Sequence, residues 1–107
     1  MLGPCTLGTG AVGSVRITVV DSGVPVDVCG PSQTTCGSGV LPPCTCMPGK
    51  QCDIPFRVGS RVFMQAASCS FWTASTGNFA GTTFDVMVVD EAVRPLVIVD
   101  SYEFCTN

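Results

Sequence analysis

The sequence predicts an all-β domain: a small, disulfide-rich antiparallel β-sandwich or barrel carrying a long cysteine-stapled loop over residues 29–52. Three observations predict it. Short apolar segments alternate with period 2 and are separated by Gly, Pro, Asp and Ser, the pattern of half-buried strands joined by turns. No helix cap is followed by an apolar stripe of period 3.6, so no helix is expected. Eight cysteines, an even number in only 107 residues, read as a disulfide framework formed in an oxidising compartment.

Residues 1–107 form one domain, since a second core would need a longer chain. Residues 1–13 are Gly-rich and expected to be irregular, tied down only through Cys5. They lack the basic and continuous apolar regions of a signal peptide, so the chain reads as a mature or excised domain. Residues 14–29 read as a β-hairpin. Val15, Ile17 and Val19 alternate with Arg16 and Thr18, Asp21-Ser22-Gly23 supplies a turn, and Val24, Val26 and Val28 resume the alternation. Pro25, with no N–H to donate, pushes the second strand toward a sheet edge.

The loop CGPSQTTCGSGVLPPCTCMPGKQC holds five of the eight cysteines among four glycines and four prolines. No apolar period survives in it, so its order is expected to come from crosslinks. Cys44 and Cys46 sit too close to bond each other well and should each join a different neighbour. Residues 53–105 supply the remaining strands. Ile54, Phe56 and Val58 alternate before a Gly-Ser turn at 59–60, and RVFMQAASCSFWTA continues as a longer strand with Val62, Met64 and Ala66 inward. Its parity is disturbed around Cys69, Phe71 and Trp72, which predicts a β-bulge or bend near Ala67 and Ser68. STGNFAG at 75–81 has turn chemistry, and TTFDVMVVD and RPLVIVDSYEFC form two β-branched strands joined through Asp90, Glu91 and Ala92.

Composition excludes several functions. The net charge is −3 and the five basic residues, Arg16, Lys50, Arg57, Arg61 and Arg94, are scattered, so no patch can neutralise several phosphates and nucleic acid is excluded as a partner. No run of 18 apolar residues predicts a membrane span. With no histidine there is no Ser-His or Cys-His nucleophile pair, and the cysteines are taken up in bonds, so no catalytic residue and no enzyme is expected. The missing histidines and C-x-x-C pairs also argue against zinc, and the acids at strand ends form no EF-hand loop for calcium, so no metal and no cofactor is expected. Charged residues make up 12% of the chain against 46% hydrophobic, so part of the surface is uncharged polar or is covered by a partner.

Cys5, Cys29, Cys36, Cys44, Cys46, Cys52, Cys69 and Cys105 are all expected in disulfides, and four bonds among eight cysteines allow 105 pairings. The candidate binding surface comprises Val40, Leu41 and Met47 of the stapled loop together with Phe71, Trp72, Phe79 and Tyr102. Aromatic side chains can form a platform for a sugar or a hot spot for a protein, although a lone tryptophan beside a cysteine more often packs in the core. Two family patterns are missing: there is no adjacent Cys-Cys pair as in fungal hydrophobins, and Tyr102 stands three residues before Cys105, where immunoglobulin-like domains place the tyrosine two before. No family is assigned on the sequence. The reading is a non-catalytic module for recognition, adhesion or structure, extracellular or on a cell surface, whose partner is a protein, a glycan or a second copy of itself. The alternatives are a secreted effector, toxin or inhibitor acting through Cys29–Cys52, with Thr45, Cys46 and Met47 offered as a substrate-like segment, and a self-assembling surface protein built on the uncharged strand Val86–Val89.

Overall fold

The computed structural model describes residues 5–29 and 45–105. They form strands β1 (Val12–Val19), β2 (Val26–Val28), β3 (Thr45–Cys46), β4 (Gln51–Arg57), β5 (Arg61–Ala74), β6 (Gly77–Met87) and β7 (Leu96–Ser101), with no helix among the described residues. The strands run in the order β3-β2-β5-β7-β1-β4, with β6 added to β5. A disulfide between Cys46 and Cys52 joins the two end strands, β3 and β4, so the sheet is nearly a closed barrel. The all-β expectation is met. All the strand pairs are antiparallel except β1 with β7, which run parallel from Arg16↔Leu96 to Val19↔Val99.

β5 makes the corner of the barrel. Its first half pairs with β2 over Met64–Ala66 and its second half pairs with β7 over Ser70–Ala74. Between the pairs Gln65↔Thr83 and Ser70↔Gly81 it uses three more residues than β6 does, and the exposed Ala67 and Ser68 lie in that irregularity. This is the bulge expected at Ala67 and Ser68, and it lets one strand serve two halves of the barrel. Alternation supplies the core on both sides of it: Val62, Met64, Ala66 and Trp72 of β5 pack with Val15, Ile17 and Val19 of β1 and with Val97 and Val99 of β7.

Three expectations are corrected. Residues 14–29 are not a hairpin, because β1 pairs with β4 and β7 while β2 pairs with β3 and β5. Valines on one face specify that a strand looks inward; they do not specify its neighbour, and two strands facing one core from different halves of a barrel read alike. STGNFAG is a turn only at Ser75 and Thr76; Gly77 to Gly81 belong to β6, where Trp72↔Phe79 and Phe71↔Ala80 pair across the hairpin. Cross-strand pairing outweighs the turn propensity of Gly and Asn there. The strand expected through Val89 ends at Met87, and Val88 instead exchanges backbone hydrogen bonds with Gly59 and Ser60.

The amino-terminal segment is held by more than Cys5. Thr6 pairs with Arg61, Gly10 N–H donates to the Val58 carbonyl at 3.1 Å, and Gly8 N–H donates to Ser60 Oγ at 2.8 Å. Gly8 must be glycine for this approach, since a Cβ there would stand 2.1 Å from the Val58 carbonyl oxygen. Cys5 also bonds Cys29, which takes a left-handed backbone conformation (φ 67°) while buried at the end of β2.

Candidate ligand-binding site

The third described disulfide, Cys69–Cys105, creates the most distinctive surface feature. β7 alternates with Val97 and Val99 inward and Leu96, Ile98 and Asp100 outward. Past its end the chain stays exposed from Asp100 to Phe104; Tyr102 N–H donates to the Cys69 carbonyl at 3.1 Å and the disulfide then fastens the chain to the bulge of β5. Tyr102 and Phe104 are exposed beyond Asp100, and Phe71 of β5, paired with Asp100, stands beside Tyr102.

The rings touch in a row. Phe71 and Tyr102 have centroids 5.3 Å apart at an interplanar angle of 47°, and Tyr102 and Phe104 are 5.5 Å apart at 74°. Phe71 is half-buried, Tyr102 is 37% exposed and Phe104 is 69% exposed, so the row rises from the sheet into solvent. A groove of about 430 Å³ lies alongside, lined by Ser68, Cys69, Ser101, Tyr102, Glu103 and Phe104. Contacts between the aromatic rings and the Cys69–Cys105 crosslink beside them restrain the walls before any ligand arrives, which reduces the ordering cost of binding.

Charge around this ledge has one sign. Asp100 accepts a hydrogen bond from Ser22 Oγ at 2.8 Å and from the Ser101 N–H at 2.8 Å, and Glu103 lines the groove. The arginines are engaged elsewhere: Arg16 and Arg94 with Asp53, Arg61 with Asp85, and Arg57 with the Gly10 carbonyl. At that other site the Arg16 guanidinium, hydrogen bonded to Asp53 at 2.8 and 3.2 Å, holds the Asp53 carboxyl below the usual carboxylate range, with Arg94 adding to the effect. Among the described residues no group of three or more His, Cys, Asp or Glu side chains could hold a metal ion.

The expected binding residues are dispersed. Phe71 and Tyr102 meet, but Trp72 is wholly buried, which removes it from any surface. Neighbours in a strand point to opposite faces, so Phe71 and Trp72 could never have shared a platform. Trp72 stacks on Phe84 at 5.5 Å and 13°, and its Nε1–H donates to the Gly81 carbonyl at 2.9 Å. Phe79, 49% exposed on β6, lies 6.4 Å from Phe84 and belongs to a second groove of about 370 Å³ with Phe63, Thr83, Phe84 and Asp85. Met47 is exposed in the turn between β3 and β4, apart from both aromatic groups in the fold. Val40, Leu41, Cys36 and Cys44 lie outside the described residues. Phe104 was missed by sequence reasoning, although its spacing of two from Tyr102 was a signal that both share a face.

The expected pairing of Cys46 with a neighbour other than Cys44 is met by Cys52. No family model, curated protein or solved structure matches the chain.

Proposed function

We propose that this protein is a non-catalytic extracellular recognition or adhesion module that holds its ligand on the ledge Phe71–Tyr102–Phe104. One observation carries the reading: three contacting aromatic rings rise from the outer face of the sheet into solvent beside a groove, on a strand end clamped by Cys69–Cys105. A row of this kind has no packing role for its outermost member, because Phe104 at 69% exposure contributes little to the core. Exposed aromatics of this kind are the usual anchors of recognition surfaces. The described disulfides support an extracellular setting, where such bonds persist. The test is a binding screen against immobilised glycans and peptides, run with the wild type and with Tyr102→Ala/Phe104→Ala. A ligand that the wild type retains and the double variant loses, at unchanged melting temperature, supports the reading. Equal retention by both proteins moves the function elsewhere.

A second reading, assembly between copies, is favoured by β6. Among the described residues this strand pairs with β5 alone; it contains neither Lys nor Pro, and its one charge, Asp85, is held by Arg61. Natural edge strands are commonly blunted by such residues, so an edge without them can accept another strand. Growth in light scattering with concentration that Thr82→Lys abolishes would support this reading, and a monomer at high concentration would end it.

A further inference from the structure

We propose that the ledge accepts a positively charged side chain, an arginine or lysine presented by a basic segment of a partner protein. The inference rests on the reading of the ledge as the ligand site and adds the chemistry of what it holds. Ring geometry is the first ground. A pyranose is held by stacking on a flat ring face, and an extended glycan needs several such faces in one plane, whereas the successive angles here are 47° and 74°. Rings so inclined form a corner, and the free π-faces of a corner carry partial negative charge that attracts a compact cation.

Charge is the second and independent ground. The groove wall contains Glu103, and Asp100 is paired with Phe71, held in place by Ser22 and the Ser101 N–H. Neither carboxylate has an ion-pair partner among the described residues, and the arginines that could reach for one are bound at Asp53, Asp85 and Gly10. Lys50, in the turn after β3, forms no ion pair with either carboxylate among the described residues. An unbalanced acidic rim around aromatic walls is complementary to a cation in both of the ways a small surface site can be.

The groove, about 430 Å³, also has room for a basic side chain. Its lining includes Ser68, Cys69 and Ser101, and the serine hydroxyls and backbone carbonyls of these residues are of the kind that accept the N–H donors of a guanidinium. The aliphatic stem would then lie along the Phe104 ring, which is 69% exposed without a ligand.

Nuclear magnetic resonance titration of the intact, oxidised protein tests this with two blocked Gly-Ser heptapeptides that differ only at the central residue. One carries arginine and the other citrulline, which has the same shape without the charge. The arginine peptide is expected to shift the signals of Ser101, Tyr102, Glu103 and Phe104. Its affinity should fall about 2- to 5-fold with citrulline, with Phe104→Ala and with Glu103→Gln, the size of an exposed cation–π or single-charge contribution. Raising the salt concentration should weaken the arginine peptide and leave the citrulline peptide unchanged. Both variants change exposed side chains, so their unliganded spectra should otherwise superpose on the wild type. Equal affinity for the two peptides at these residues would overturn the cation and leave the ledge as the recognition site. A neutral oligosaccharide such as cellohexaose shifting these signals while the arginine peptide does not would also overturn it, in favour of a glycan. Shifts by none of the three probes would overturn both readings of the ledge.

Discussion

Replacing Trp72 by alanine removes the largest of the fully buried side chains and tests how the bulge of β5 is held. The ring does three things: it fills the core at 0% exposure, stacks on Phe84 at 5.5 Å, and donates Nε1–H to the Gly81 carbonyl at 2.9 Å. That carbonyl belongs to the last β6 residue paired before the register shifts and Phe84 is paired beyond it, so the stack of Trp72 on Phe84 spans the irregularity. Loss of a buried Trp to Ala costs roughly 3–5 kcal/mol through lost transfer energy and the remaining cavity. The hydrogen bond accounts for about 0.5–1.5 kcal/mol of this, and the stacked pair for a similar amount. Trp72→Phe separates these terms, since it keeps much of the packing and loses the donor; it should cost about 1–2 kcal/mol. With a urea dependence of about 2 kcal/mol/M for a domain of this size, Trp72→Ala should lower the midpoint by about 2 M. Far-ultraviolet circular dichroism under non-reducing conditions is the assay, because Trp72 is the only tryptophan and its fluorescence disappears with it. A loss under about 1 kcal/mol for Trp72→Ala would refute the core role, and a loss of ligand binding at unchanged stability would return Trp72 to the surface.

Three further outcomes are expected. Gly8→Ala should destabilise the protein and release the amino-terminal segment to faster amide exchange, because the new Cβ would fall 2.1 Å from the Val58 carbonyl oxygen; unchanged exchange at Thr6 and Gly10 would contradict this. The disulfides close chain separations of 24, 6 and 36 residues, so in the chain-entropy model removing Cys69–Cys105 or Cys5–Cys29 as a Ser pair should each cost more than removing Cys46–Cys52, by roughly 1–2 kcal/mol in thermal unfolding. Asp53 has a lowered folded-state pKa, chiefly from its hydrogen bond with Arg16; its stabilising contribution is complete above the unfolded value near about pH 4 and is lost as pH falls through the lower folded value. Asp53→Asn should therefore flatten the acid limb of a stability–pH curve below about pH 4, and an unchanged limb would argue against the pairing.

β5 shows how much was legible in the amino-acid order. Its limits, its inward residues Val62, Met64 and Ala66, and its bulge at Ala67 and Ser68 all follow from local pattern, because side-chain direction is a local property of an extended chain. Its partners do not follow. That β2 and β7 share one strand depends on where the barrel turns, a non-local fact that valine alternation leaves open, and the same gap misread residues 14–29 as a hairpin. The aromatic candidates split for a related reason. Composition placed Phe71 beside Trp72, while strand geometry sends one outward to Tyr102 and the other inward to Phe84. Parity applied to DSYEFC would have added Phe104 to the outer set without any structure.

The crosslinks explain why this surface ends up at a strand end rather than on the middle of the sheet. Within the barrel the apolar alternation already orders the chain, so a disulfide there would add little that burial does not supply. Two of the described bonds instead fasten segments outside the strands, Cys5 onto the end of β2 and the chain after β7 onto the bulge, while Cys46–Cys52 joins the two end strands β3 and β4, which do not pair. At these places the backbone has few ladder partners and would otherwise fray. A segment pinned covalently just past a strand can carry large apolar side chains into water without the option of folding them back into the core. Phe104 is in that position one residue before Cys105, with only Tyr102 for a ring neighbour. The consequence separates two origins of its exposure. If the disulfide holds the ledge open, Cys69→Ser/Cys105→Ser should quench the Tyr102–Phe104 ring contacts seen by nuclear magnetic resonance while the β1 and β7 valines keep their core contacts. If the ledge keeps its ring contacts without the bond, the strand end itself provides the rigidity, and the continuation of the β7 ladder through Tyr102 and Cys69 is sufficient to present the site.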